Sequence, residues 1–195
     1  MTNIDFTKLQ TQYAIDYTKL DYDSIMNLYV YHPWENGKNP KIDKITNTIL
    51  NLKRDIDSAV NFFSKVITTQ LLNISKIDSE KVFCIVPSHE KDKVSNGLTR
   101  VINNIKADFV FKNTANQLKR TKTVAKSATG GDRSVQHHLD SIGVVDEKVI
   151  KDKVVFLFDD ISSTGNSLEA CKKILLSKGA KKVVMISLGQ TANYS

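Results

Sequence analysis

The stretch Val154-Val155-Phe156-Leu157-Phe158-Asp159-Asp160-Ile161-Ser162-Ser163-Thr164-Gly165-Asn166-Ser167 decides the fold. An unbroken apolar run over 154–158 predicts a strand buried on both faces, which is the habit of parallel sheets. Two adjacent carboxylates end the run, and small hydroxyl residues with Gly165 then lead into a helix predicted over Ser167–Lys178. Open parallel sheets place ligands at the carboxyl ends of their strands. Asp159 and Asp160 suit a vicinal diol, since hydrogen bonds to charged groups contribute about 1.5–3 kcal/mol each. The main-chain amides of Ser163–Ser167 can converge on a phosphate because the loop has no bulky side chain and the helix start adds its positive end.

Working outward, strands are predicted at Val82–Val86, Asp108–Phe111, Ile142–Val145 and Lys181–Leu188, with a helix through Leu98, Val101 and Ile105. The alternation predicts an α/β domain with a Rossmann-like, mainly parallel sheet flanked by helices. Apolar residues from Ile42 to Leu71 recur at three- and four-residue steps and predict one long helix over about Asp43–Leu72. Asn166 and Glu169 fit a capping box, and Gly179 a left-handed helix end. Residues 1–41 have no clean period and read as an N-terminal helical or irregular cap or arm, ahead of an α/β domain at 42–195. Its aromatics, Tyr29, Tyr31 and Trp34, suit packing or a homodimer contact.

With 195 residues, 41% apolar and 25% charged, the chain has enough material for a sizeable core. No apolar run reaches the ~20 residues of a membrane span, and no secretory apolar segment opens the chain, so a cytoplasmic protein with no membrane partner is expected. Cys84 and Cys171 fit buried reduced thiols. The net charge of +7 suits an anionic ligand or a nucleic-acid surface. No zinc-ligand spacing occurs, and His137 and His138 point to opposite sides of any local element.

The 154–167 segment resembles the 5-phosphoribosyl-1-diphosphate (PRPP) signature of type I phosphoribosyltransferases, and the resemblance extends over about 80–190. It implies that Asp159 and Asp160 hold the ribose hydroxyls and that Ser163, Thr164, Gly165, Asn166 and Ser167 hold the 5′-phosphate. The loop after the first core strand, with Ser88, His89 and Lys91, would lie against pyrophosphate. Residues 112–132, with almost no apolar period, resemble the family's flexible catalytic loop; Arg120, Lys126 and Arg133 are the candidate catalytic cations, with Lys119 and Lys122 nearby. The resemblance also implies Mg²⁺ held by the substrate rather than by a metal cage, and a nitrogenous base or amine as acceptor. The order of segments is most similar to the ComF-like or orphan branch, although the cysteine-rich zinc motif of longer ComF-type proteins is missing. Where hypoxanthine-guanine enzymes carry an acidic residue before the loop's Thr-Gly, this chain has Ser163, a poor general base near neutral pH, which disfavours a 6-oxopurine acceptor. The expected function is phosphoribosyl transfer. The rival is a non-catalytic PRPP- or nucleotide-binding module associated with regulation or nucleic acid.

Overall fold

A computed structural model of the chain describes residues 21–33, 35, 38–71, 80–105, 111–112, 116–124 and 134–194. Five strands among them, β1 (Ile25–Tyr31), β2 (Lys81–Ile85), β3 (Phe111–Lys112), β6 (Val154–Ser162) and β7 (Lys182–Thr191), form an all-parallel sheet in the order β1-β7-β6-β2-β3. A separate antiparallel pair joins β4 (Leu118–Arg120) to β5 (Ile142–Val144). The helices are α1 (Lys44–Lys53), α2 (Asp57–Leu71), α3 (Asn96–Asn103), α4 (Val135–Leu139), α5 (Glu147–Ile150) and α6 (Asn166–Ser177).

The two-residue period of the strands sorts the core. Phe83, Ile85, Val154, Phe156, Phe158, Val184, Ile186 and Leu188 pack with α1, α2 and α3 on one face. Val82, Cys84, Val155, Leu157, Val183 and Met185 pack with α6, Leu118 and Ile142 on the other. Both faces are covered, which is why the central strands carry no polar alternation.

Three differences from the sequence reading matter for the site. The expected long helix is two, because Asp55 takes a left-handed conformation (φ 60°). Its amide bonds the Leu52 carbonyl at 2.9 Å while the Ile56 amide bonds the Asn51 carbonyl at 3.0 Å, the pattern of a Schellman ending with Asp in the usual glycine place. Arg100 of α3 holds this break, its guanidinium 2.9 Å from Asp55 and 2.6 Å from Asp57. The segment set apart as an irregular cap contains β1, which pairs in parallel with β7 as an edge of the main sheet. Its Tyr29 is buried against Phe62 and Phe63, so that ring serves the core and not a dimer surface; Trp34 lies outside the described residues. Finally, Leu118–Arg120 and Ile142–Val144 form the separate pair, so part of the expected flexible loop is a strand and Ile142–Val145 is not a core strand.

Candidate functional site

The first fold-level clue is the direction of the crossovers. From β2 the chain passes through α3 to β3 on one side, whereas from β6 it passes through α6 to β7 on the other. The gap between the carboxyl ends of β2 and β6 is therefore a topological switch point, where open α/β sheets form ligand crevices. β2 stops pairing with β6 at Ile85–Phe158 and turns off at Pro87, while β6 continues along β7 as far as Ser162. Asp159 and Asp160 thus lie within a strand bonded on one side only, and the open side is the crevice.

A cavity of about 740 Å³ occupies this place. Its walls include Ser88 and His89 after β2, Lys53 and Arg54 at the end of α1, Lys93, Arg120 and His138, with Asp159, Asp160 and Ser167 at the β6 end. A smaller cavity of about 120 Å³ is bounded by residues 161–168 and meets the larger one at Asp159, His138 and Ser167. The strand period turns the two acids to opposite faces. Asp159 borders both cavities on the α6 side, and Asp160 meets Lys53 of α1 at 3.1 Å.

Burial raises the Asp159 carboxyl well above the usual carboxylate range, and the neighbouring Asp160 charge adds to this; Lys53 and the Asp160 amide, which donates to Asp159 Oδ1 at 2.9 Å, oppose it. Lys53 is depressed by burial but more than restored by Asp160, so its ammonium stays charged. Lys53 gave no signal in the sequence, being one of many lysines on an amphipathic helix; it reaches the acids because the helix breaks just after it.

Arg120 stands elsewhere than expected. It is a buried residue at the end of β4, not a cation on a free loop. Its Nε donates to the Ser88 carbonyl at 3.1 Å, Nη1 to Ser141 Oγ at 2.6 Å, and both terminal nitrogens approach His138 Nδ1 at 3.4–3.5 Å. Among the described residues no carboxylate pairs with it, and burial pulls its guanidinium below the usual value. The same strand and its continuation brace the loop after β2: the Val124 amide bonds the His89 carbonyl, the Asp92 amide the Arg120 carbonyl, and the Lys91 amide Thr123 Oγ1. Ser88 and His89 line the large cavity; Lys91 is exposed and does not, whereas Lys93 does. His89 faces Glu90 at 3.4 Å. Lys119 and Lys122 are exposed, and Lys126 and Arg133 lie outside the described residues.

The 163–167 turn is held by Gln190, whose amide donates to the Ser163 carbonyl at 2.9 Å. Gly165, in a left-handed conformation (φ 81°), is the N-cap of α6, and no side chain caps the helix, so the Asn166–Glu169 capping box does not form. A Cβ at Gly165 would stand 2.4 Å from Ile25 Cδ1. The Asn166 amide donates to Thr164 Oγ1 at 3.5 Å, and first-turn amides, which no carbonyl of their own helix can serve, suit water or an anionic ligand. Ser162 Oγ, buried on the wall of the small cavity, has no hydrogen-bond partner among the described residues. His138 is a site residue that the sequence reading does not propose: the sequence marks it only as one of two histidines pointing to opposite sides of a local element, yet it is buried between Arg120 and Ser167.

Among the described residues, no three His, Cys, Asp or Glu side chains gather as a metal site, and no helix is long and apolar enough to cross a membrane. The acidic pair fits Mg²⁺ as a source of hard oxygen donors, in the manner of a cation carried mainly by phosphates and water.

No family model matches the sequence, and no curated protein matches it. Among solved structures, a hypoxanthine phosphoribosyltransferase from Staphylococcus aureus is similar in two crystal forms, at 13% and 12% identity and TM-scores of 0.41 and 0.43, with 73% of this chain and 76% of that one covered. A purine phosphoribosyltransferase from Pyrococcus horikoshii gives 17% identity and 0.39 over 67% and 73% of the two chains. A phosphoribosylpyrophosphate synthetase from Mycobacterium smegmatis gives 16% and 0.42, covering 86% of this chain and 53% of that one. At such identities and scores the overlaps are partial, and the weight of a functional reading falls on the site itself.

Proposed function

We propose that the crevice binds PRPP and that the protein transfers its phosphoribosyl group to a nitrogen acceptor. The observation that carries this is the polarity of the joined cavities. One arm holds a buried guanidinium that no carboxylate among the described residues pairs with, the other ends at the first turn of α6 and a buried hydroxyl with no partner among the described residues, and the acidic pair lies at their junction. A diphosphate, a 5′-phosphate and a diol between them match that order. On this reading Ser88, His89, Lys93 and Arg120 face the diphosphate, Asp159 and Asp160 the ribose hydroxyls, and Ser163–Ser167 the 5′-phosphate. Lys126 and Arg133 remain candidates for a cationic closing loop, and the ComF-like branch remains the suggested relationship.

In the transfer, the acceptor nitrogen's electron pair forms a bond to ribose C1 as the C1–oxygen bond breaks, diphosphate leaves with that bond's electrons, and the proton on nitrogen passes to solvent. The chain's work is positioning and charge stabilisation: the Arg120 side meets the charge that grows on the leaving group, and the acids fix the ring. Mg²⁺, when bound with the substrate, supplies neutralisation of the diphosphate. Ser163 beside Thr164-Gly165 supplies no carboxylate base, which disfavours a 6-oxopurine acceptor.

Calorimetry with PRPP and Mg²⁺ tests binding, and pyrophosphate release with a panel of bases and amines tests transfer. Asp159→Asn/Asp160→Asn should weaken PRPP binding roughly 10- to 100-fold, as for a lost hydrogen bond to a charged group. Unaltered binding in that variant defeats the assignment of the acids. Tight PRPP binding without release from any acceptor makes the protein a binding module instead.

A further inference from the structure

We infer that His138 is a positioning residue that sets the Ser167 hydroxyl as a hydrogen-bond donor toward a phosphate in the small cavity; this rests on the phosphosugar reading of the site. A guanidinium has donors only, so where Arg120 Nη1 and Nη2 meet His138 Nδ1 at 3.5 and 3.4 Å, Nδ1 is the acceptor. An imidazole that accepts at Nδ1 carries its proton on Nε2. His138 Nε2 lies 3.2 Å from Ser167 Oγ, and the hydroxyl accepts there. Its own proton is then left to be donated elsewhere.

Ser167 stands in the first turn of α6 and borders both cavities. A hydroxyl that presented its lone pairs to the cavity would repel a phosphate, and one that presents its proton attracts it. Arg120 is itself fixed independently of His138, by the Ser88 carbonyl and by Ser141 Oγ, whose proton goes to the His137 carbonyl at 2.8 Å. The sense of the chain therefore runs one way, from Arg120 through His138 to Ser167. Two loops far apart in sequence, 88–93 and 162–167, are coupled through one ring.

The test uses the whole chain, ribose 5-phosphate and inorganic pyrophosphate. Long-range ¹H–¹⁵N spectra of the wild type should show His138 protonated at Nε2 and bare at Nδ1. His138→Leu should weaken ribose 5-phosphate about tenfold, the size of one charge-assisted hydrogen bond, and leave pyrophosphate affinity unchanged. His138→Gln, whose amide accepts through Oε1 and donates through Nε2, should restore most of the loss. Nδ1 protonation, or full ribose 5-phosphate affinity in His138→Leu, overturns the role of His138 alone, as does an equal loss of both ligands. Failure of the wild type to bind ribose 5-phosphate overturns the phosphosugar reading itself. If His138→Leu does not fold, the wild-type spectrum still decides.

Discussion

Asp159 shows how the site is held at the cost of the fold. Its folded carboxyl binds a proton more tightly than the unfolded one, through burial and then the Asp160 charge. The sign follows from linkage: between about pH 4, the ordinary carboxylate value, and the raised folded value, the native state holds a proton that the unfolded chain has lost, so this group's contribution to stability falls as pH rises. Asp159→Asn removes the dependence. In the absence of ligand its melting temperature should equal that of the wild type near the ordinary carboxylate value and exceed it by about 2–4 °C at neutral pH, if the change relieves about 1 kcal/mol in a domain of this size. Thermal scans of both proteins across that range check it; parallel curves would mean that Asp159 titrates normally. Lys53→Met acts in the opposite direction. It strips Asp160 of its 3.1 Å partner and Asp159 of a nearby cation, so it should raise the apparent Asp159 value further in a carboxylate NMR titration and weaken PRPP binding. An unmoved titration would remove Lys53 from the electrostatics of the pair.

At the scale of elements, the placement of Lys53 depends on how closely α1 meets α3. A Cβ on Gly97 would stand 2.1 Å from the Leu52 carbonyl oxygen, a backbone atom that cannot swing aside. Gly97→Ala must push the helices apart and should cost about 1–3 kcal/mol in urea unfolding, the range for overpacking a close contact. Gly143→Ala, with its nearest neighbour a Thr121 methyl at 3.4 Å and no left-handed backbone, is the control and should change little. A neutral Gly97→Ala would show that α1 has slack. The same helices explain what could be read in advance. The strand β6 and its loop were legible because burial on both faces leaves an unbroken apolar word ended by two acids. The helix break was not, since Asp55 fills a position where glycine would have been the signal and the apolar period runs on through Ile56, which is exposed. The edge strand β1 buries only Leu28 and Tyr29 deeply, too few for a pattern. The burial of Arg120, expected only as a loop cation, and the place of His138 escaped because polar residues buried for one another have no periodic mark; only the fold brings 88, 120, 138 and 167 together.

Over the whole molecule, the two-faced core predicts how the chain opens. Cys84 of β2 and Cys171 of α6 are fully buried in the same cluster, on opposite sides of one sheet–helix interface. Burial pushes the Cys84 thiol up to about 12, and burial followed by the Asp159 charge drives Cys171 upward too. Thiolates are the reactive species, so neither thiol should react with an aromatic disulfide reagent in the native protein at neutral pH, and both should react at once in strong denaturant. Under native conditions the two should label together, because exposing either means separating α6 from the sheet, which is close to global opening. A ligand seated between β2 and the start of α6 binds only the closed form. PRPP at a hundred times its dissociation constant should therefore slow labelling of both by about a hundredfold, the effect of about 2.7 kcal/mol of linkage, provided reclosing outpaces reaction with the reagent. Protection of both cysteines to the same degree would tie the crevice to the core's cooperative unit. If Cys171 instead reacts well ahead of Cys84 and gains nothing from PRPP, then α6 opens by itself and its first turn is not clamped by substrate.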